Sequence, residues 1–115
     1  MIQSKRVCII GAGPSGIAAA KNCVQAGLEV VVFEKNDKVG GNWVFNSSTG
    51  HSSVYENTHI ISSKALSEFE DFPMPDDYPD YPSHLQLQAY FEAYTKHFGA
   101  YSKIRFKHVV NKVTR

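Results

Sequence analysis

Val7-Cys8-Ile9-Ile10-Gly11-Ala12-Gly13-Pro14-Ser15-Gly16 is the stretch on which the fold turns. Its first four residues are a short, continuous apolar run rich in β-branched side chains, the pattern of a strand buried in a parallel sheet. The next six fit the spacing G-x-G-x-x-G. Ser15 to Ala26 is alanine-rich, with apolar Ile17, Ala18, Ala20 and Val24, and predicts a helix that Gly27 stops. Glu29-Val30-Val31-Val32-Phe33-Glu34 predicts a second buried strand. Strand, glycine turn, helix, glycine, strand is the crossover that two parallel strands need.

Each glycine of the turn has a mechanical task. Gly11 permits the sharp exit from the strand, the bare backbone of Gly13 lets a pyrophosphate approach, and Gly16 lets the helix lie close to the sheet. Pro14 sits at the helix start, where a missing N–H costs little. The helix end presents free N–H groups and partial positive charge to phosphates. Glu34 follows Gly16 by 18 residues, where a carboxylate accepts hydrogen bonds from ribose hydroxyls and repels a 2′-phosphate, so this site should reject NADP. The hexapeptide alone is common, and a glycine turn without nucleotide is its plain alternative. Its place between strand and helix, with Glu34 beyond, makes it specific. The expected fold is α/β: a Rossmann-like FAD/NAD(P)-binding βαβ unit with a parallel sheet. The order of elements does not separate FAD from NAD.

Beyond Glu34, residues 35–50 are turn-rich, with Gly40-Gly41 and Asn46-Ser47-Ser48-Thr49-Gly50, and leave room for a short helix after the paired glycines. Residues 53–62 alternate weakly and could hold a short strand. Residues 68–82 carry Pro73, Pro75, Pro79 and Pro82 with six acids and no base, which predicts an ordered, irregular loop. Ser83 and Gln86 form a capping-box pattern, and Leu87, Tyr90, Phe91, Tyr94 and Phe98 recur on one helical face until Gly99. Core packing is the ordinary reading of that stripe. Ile104, Phe106, Val109-Val110 and Val113 predict one or two strands punctuated by lysine and arginine, with the chain stopping at Arg115 in the last.

The bulk figures agree with a globular protein. Of 115 residues, 43% are hydrophobic and 20% charged, and 12 Lys+Arg face 11 Asp+Glu, so net charge points to neither nucleic acid nor a membrane surface. No stretch has the length of a membrane span, and the N-terminal run, which superficially resembles a signal peptide, is broken by Gly11, Gly13, Pro14 and Gly16 and reads better as a strand. Cys8 and Cys23 read as buried free thiols of a reducing compartment, and the expected location is cytoplasmic. The five histidines show no zinc spacing, and no metal is expected.

Glu34-Lys35-Asn36-Asp37-Lys38-Val39-Gly40-Gly41-Asn42-Trp43 resembles the E-x5-GG-x-W stretch of flavin-containing monooxygenases and their Baeyer–Villiger relatives. The likeness continues through Ser53-Val54-Tyr55, Ser62-Ser63-Lys64, the block Asp71-Phe72-Pro73-Met74-Pro75-Asp76-Asp77-Tyr78-Pro79 and the tail Ile104-x-Phe106, in order and over nearly the whole chain. It implies an NADPH-dependent enzyme that binds FAD on this first domain and NADPH on a second. Such enzymes oxygenate soft nucleophiles, amines or sulfides, with O2 through a flavin C4a-hydroperoxide. By position, Gly11, Ala12, Gly13, Pro14, Ser15 and Gly16 would hold the pyrophosphate and Glu34 the adenosine ribose. Gly41, Asn42 and Trp43 would line the cofactor, Ser62 would lie in the flavin region, and the backbone of Val110 would meet the adenine edge.

The resemblance assigns no catalytic residue. Where amine- and sulfide-oxidising members carry Asn before Ser-Ser-Lys, this chain has Ile61, which donates nothing and leaves the substrate class open. The expectation is an N-terminal part, 1–115, of an FAD-binding domain, incomplete at its C-terminus and inactive alone, with homo-oligomerisation open. The alternatives are an FAD-dependent reductase or amine oxidase of the same fold, or a non-enzymatic dinucleotide-binding module.

Overall fold

The computed structural model describes residues 5–45 and 54–115, so the run Asn46 to Gly50, His51 and Ser53 lie outside the described residues. Strand β1 (Arg6–Ile10), helix α1 (Pro14–Gln25) and strand β2 (Glu29–Phe33) come first, followed by a 3-10 turn at Gly41–Trp43. Helix α2 (Lys64–Ser67), helix α3 (His84–His97), a 3-10 turn at Tyr101–Lys103 and strand β3 (Ile104–Arg105) complete the order. The sheet runs β1-β2-β3, with both pairs parallel.

Register decides which side chains meet. Ile9 pairs with Val32 and Val32 with Ile104, while Cys8 pairs with Val31 and Ile10 with Phe33. Alternation then gives two unlike faces. On one, Val30 and Val32 are buried with Ile17 and Ala20 of α1 in the main core. On the other, Cys8 is exposed, Ile10 is 60% exposed, and a cavity of about 530 Å³ is lined by Arg6, Cys8, Val31, Phe33, Lys103 and Arg105. Cys8 and Cys23 are free thiols, but Cys8 is not buried, because its strand position points to the uncovered face.

The second half packs around α3. Ser83 and Gln86 form the capping box reciprocally, and the C-terminal end gives way to Gly99 at φ +74°. Leu87, Tyr90, Phe91 and Tyr94 are buried, with Phe98 against the same core. The proline-rich segment is stapled to this helix by polar contacts that its irregular backbone leaves unmade. The Tyr90 hydroxyl donates to the Phe72 carbonyl at 2.5 Å and accepts from the Phe69 N–H at 2.8 Å. Burial pushes that phenol up to about 12, so it stays a neutral donor. Tyr78 donates to the Gln86 carbonyl at 3.1 Å, and the Lys64 ammonium donates to the Tyr78 carbonyl at 2.8 Å. Lys21 of α1, itself buried, pairs with Asp71 and stands 5.0 Å from the Phe98 ring centroid, joining α1, the acidic segment and the end of α3.

Two secondary-structure expectations change, and one short helix is new. The strand within 53–62 reduces, among the described residues, to one bridge between His59 and Ser83. Of the C-terminal strands only Ile104–Arg105 forms, because Lys107 at φ +57° turns the chain off the ladder. Its N–H then bonds the Asn36 carbonyl, and Val109 and Val113 are left exposed without a neighbouring strand. Helix α2 is a single turn, too short to show a helical period. No helix of the described residues is long and apolar enough to cross a membrane.

Candidate dinucleotide site

The ladder between β1 and β2 extends one residue past Ile10, where the Gly11 N–H bonds the Phe33 carbonyl at 2.8 Å. Gly11 then takes φ +100°, a value L side chains rarely adopt, and the chain turns over the strand end. Gly13 caps α1 with an ordinary extended backbone, φ −75° and ψ −178°, so its need for glycine is one of space. Gly16 is different: a Cβ there would lie 2.0 Å from the Gly11 carbonyl oxygen but an ordinary 3.7 Å from Ile9. What it protects is the closure of its own loop rather than close packing of helix on sheet.

A second loop comes down on the first. The Gly40 N–H bonds the Ala12 carbonyl at 3.0 Å. Gly41, at φ +58°, sits so close that a Cβ on it would lie 3.0 Å from the Gly13 Cα. Between the loops lies a cavity of about 500 Å³ lined by Gly11, Gly13, Pro14, Ser15, Gly16, Gly41, Asn42 and Trp43, with Ile10. The first turn of α1 carries no acidic residue, so its amide end is free to meet an anion. Trp43 both lines this cavity and packs on the core.

Glu34 follows β2 and is 5% exposed. Its Oε1 accepts from the Ala12 N–H and its Oε2 from the Asn36 N–H, each at 2.7 Å. An ionised carboxylate offers about four lone-pair sites, so these bonds fix it beside the glycine turn with acceptor capacity to spare. Its backbone is tied as well: the N–H to the Arg105 carbonyl, the carbonyl to the His108 N–H. That tie brings the C-terminal segment over the strand ends and forms a second cavity of about 360 Å³. It is lined by Ile10, Gly11, Phe33, Glu34, Lys35, His108, Val109 and Val110. The two cavities share Ile10 and Gly11, at the carboxyl ends of adjacent parallel strands, where open α/β sheets take ligands.

Ten of the twelve residues expected at the site therefore line one cavity or the other. Ala12 is wholly buried behind the turn and serves through its peptide group. Ser62 lines neither cavity; its Oγ lies 2.5 Å from the Ser67 Oγ on the exposed side of α2. Ile61 is 98% exposed. Residues missed in the sequence are Ile10, Phe33, Lys35, His108 and Val109. The first two were findable as the last residues of parallel strands, whereas His108 and Val109 arrive only through the turn at Lys107.

A parallel sheet backed by helices, with its crevice at the strand ends, places the molecule in the Rossmann-like class of α/β folds. The chain belongs to the flavin-binding monooxygenase-like family, whose profile matches residues 4–115. It is 42% identical over 116 residues to flavin-containing monooxygenase 5 of Oryctolagus cuniculus, covering 99% of this chain and 22% of that protein. It is 41% identical over 115 residues to flavin-containing monooxygenase 1 of Homo sapiens, covering 98% and 22%. The chain thus spans about a fifth of the length of these relatives. Among solved structures, S-allyl-L-cysteine S-oxygenase from Allium sativum superposes with TM-score 0.81 at 23% identity, covering 91% of this chain and 28% of that one. A cyclohexanone monooxygenase from Rhodococcus, bound to NADP+, gives 0.71 at 28% identity over 90% of this chain and 19% of that one.

Proposed function

We propose that residues 1–115 are the N-terminal FAD-binding part of an NADPH-dependent flavin monooxygenase acting on soft nucleophiles such as amines or sulfides. Family membership and the contiguity of the two cavities support this reading. The observation that carries it is the wall of the 500 Å³ cavity, where four glycines, Gly11, Gly13, Gly16 and Gly41, bare the backbone at the amide end of α1. Such a wall fits linked phosphates, because the glycines let a ligand approach the backbone and the amide end of the helix closely.

Gly11, Gly13, Ser15, Gly16, Gly41 and Asn42 would hold the pyrophosphate of FAD, with Ala12 and Pro14 shaping the turn. Glu34 would accept the adenosine ribose hydroxyls, already oriented by Ala12 and Asn36. Phe33, His108, Val109 and Val110 would enclose the adenine side. Bound here, FAD would supply the redox and oxygen chemistry, with NADPH on a second domain as the reductant. The chain's own part is to bind, orient and exclude water. Cytoplasmic residence belongs to the same proposal and is supported by the unpaired thiols Cys8 and Cys23.

The natural full-length protein should show flavin absorption bands on purification and consume O2 with NADPH. Gly13→Val should lose the bands, since its branched side chain occupies the phosphate space. A colourless wild-type protein that takes up no added FAD defeats the reading.

A further inference from the structure

Helix α3 reaches the cofactor cleft through one side chain that lines neither cavity. Gln88 is half-buried on that helix. Its Nε2 donates to the Val39 carbonyl at 3.0 Å, across 49 residues of sequence. It also closes over Gly40, where a Cβ would lie 3.3 Å from the Gln88 Cγ and 3.9 Å from its Cα. Gly40 in turn donates to the Ala12 carbonyl, and Gly41 rests against Gly13. Contacts thus run without a break from α3 through the paired glycines to the phosphate-facing turn.

We propose that Gln88 is a positioning residue for the dinucleotide pocket: it holds the Gly40–Gly41 loop against the glycine turn, so that the second wall of the cleft exists before ligand arrives. This rests on the FAD reading above. Paired glycines have wide backbone freedom, and Gly40 at φ +132° and Gly41 at φ +58° occupy conformations that nothing in their own side chains enforces. The local turn bonds Trp43 N–H to the Gly40 carbonyl and Val44 N–H to the Gly41 carbonyl, and a tie from α3 adds to them. The amide of Gln88 supplies a donor to the carbonyl just before the pair, and its stem, with the Val44 side chain, supplies the surface on which Gly40 packs. When only a fraction of molecules has the competent loop, apparent affinity falls by that fraction.

The test uses the apo form of the natural full-length protein and FAD itself, titrated by quenching of flavin fluorescence. Gln88→Met keeps the length and loses the donor; Gln88→Lys keeps a donor. Gln88→Met should raise the FAD dissociation constant about 2- to 10-fold, the range of one neutral hydrogen bond. Gln88→Lys should return it to within about twofold of wild type, the low end of that range. Amide exchange in the peptide spanning Val39–Trp43 should quicken in Gln88→Met apoprotein, and turnover at saturating FAD should not change. An unaltered dissociation constant overturns the proposal. So does Gln88→Lys binding as weakly as Gln88→Met, or a fall in apoprotein melting temperature that accounts for the whole loss. Wild-type protein that takes up no FAD defeats the flavin reading instead. In that case unchanged exchange at Val39–Trp43 overturns this proposal and quickened exchange sustains it.

Discussion

In the Gly11–Gly16 turn the tightest contact is internal, a hypothetical Gly16 Cβ meeting the Gly11 carbonyl at 2.0 Å. In the Gly40–Gly41 loop the local contact with Val44 is joined by close contacts from distant elements, Gly13 of the first turn and Gln88 of α3. Both loops wall the same cavity. The first has its tightest constraint within its own covalent path, with Phe33, Glu34 and Gly40 bonding its backbone from outside. The second is shaped by its neighbours and depends on the rest of the domain. Substitutions should therefore separate folding from ligand capture differently in the two.

Gly16→Ala should have the largest effect, because backbone must move to admit the methyl. A loss of about 3 kcal/mol or more is expected, at or beyond the upper range of overpacking, measured by urea unfolding. A variant as stable as wild type would break the idea of a self-closed turn. Gly41→Ala should follow at about 2 kcal/mol, combining the left-handed backbone with a tight contact at Gly13. Its loss should appear in FAD affinity as well as stability, and a purely stability effect would count against the loop's place in the cleft.

Gly13→Ala sharpens the contrast. Its backbone is ordinary, and a Cβ would lie an unstrained 3.6 Å from the Gly41 Cα. Apoprotein melting should shift little, while FAD affinity drops about tenfold, the equivalent of 1.4 kcal/mol. Equal losses in both would show that the site's bareness serves the fold rather than the phosphates.

The smallest effect lies outside both loops, at Asp71. The Lys21 ammonium holds its carboxyl below the ordinary value of 3.8, against a smaller opposing push from desolvation. A depressed folded value stabilises at pH above the unfolded value, and the gain is lost as pH falls through the lowered one. Wild type should melt slightly above Asp71→Asn at neutral pH, and the two should converge in acid. A gap that persists in acid would assign the difference to packing.

The sequence carried the βαβ unit because its constraints are short in range. The turn, the helix stop at Gly27 and Glu34 are all set by spacing along the chain, and the Ser83–Gln86 capping box is equally local. What it hid is long in range. Nothing near Gln88 marks it as a partner of Val39. His108 reaches the cleft only because Lys107 adopts positive φ, which no residue pattern announces for lysine. The exposed placement of Cys8 depends on which sheet face is covered, and an apolar run reads the same either way.

Phe33 belongs to two places at once, the open sheet face and the cavity at the strand ends. The residue lines both cavities, and its ring stands 5.9 Å from the His108 ring centroid. Whatever seats on that face and turns the ring alters what the far side will accept, and thermodynamic reciprocity returns the same factor in the other direction.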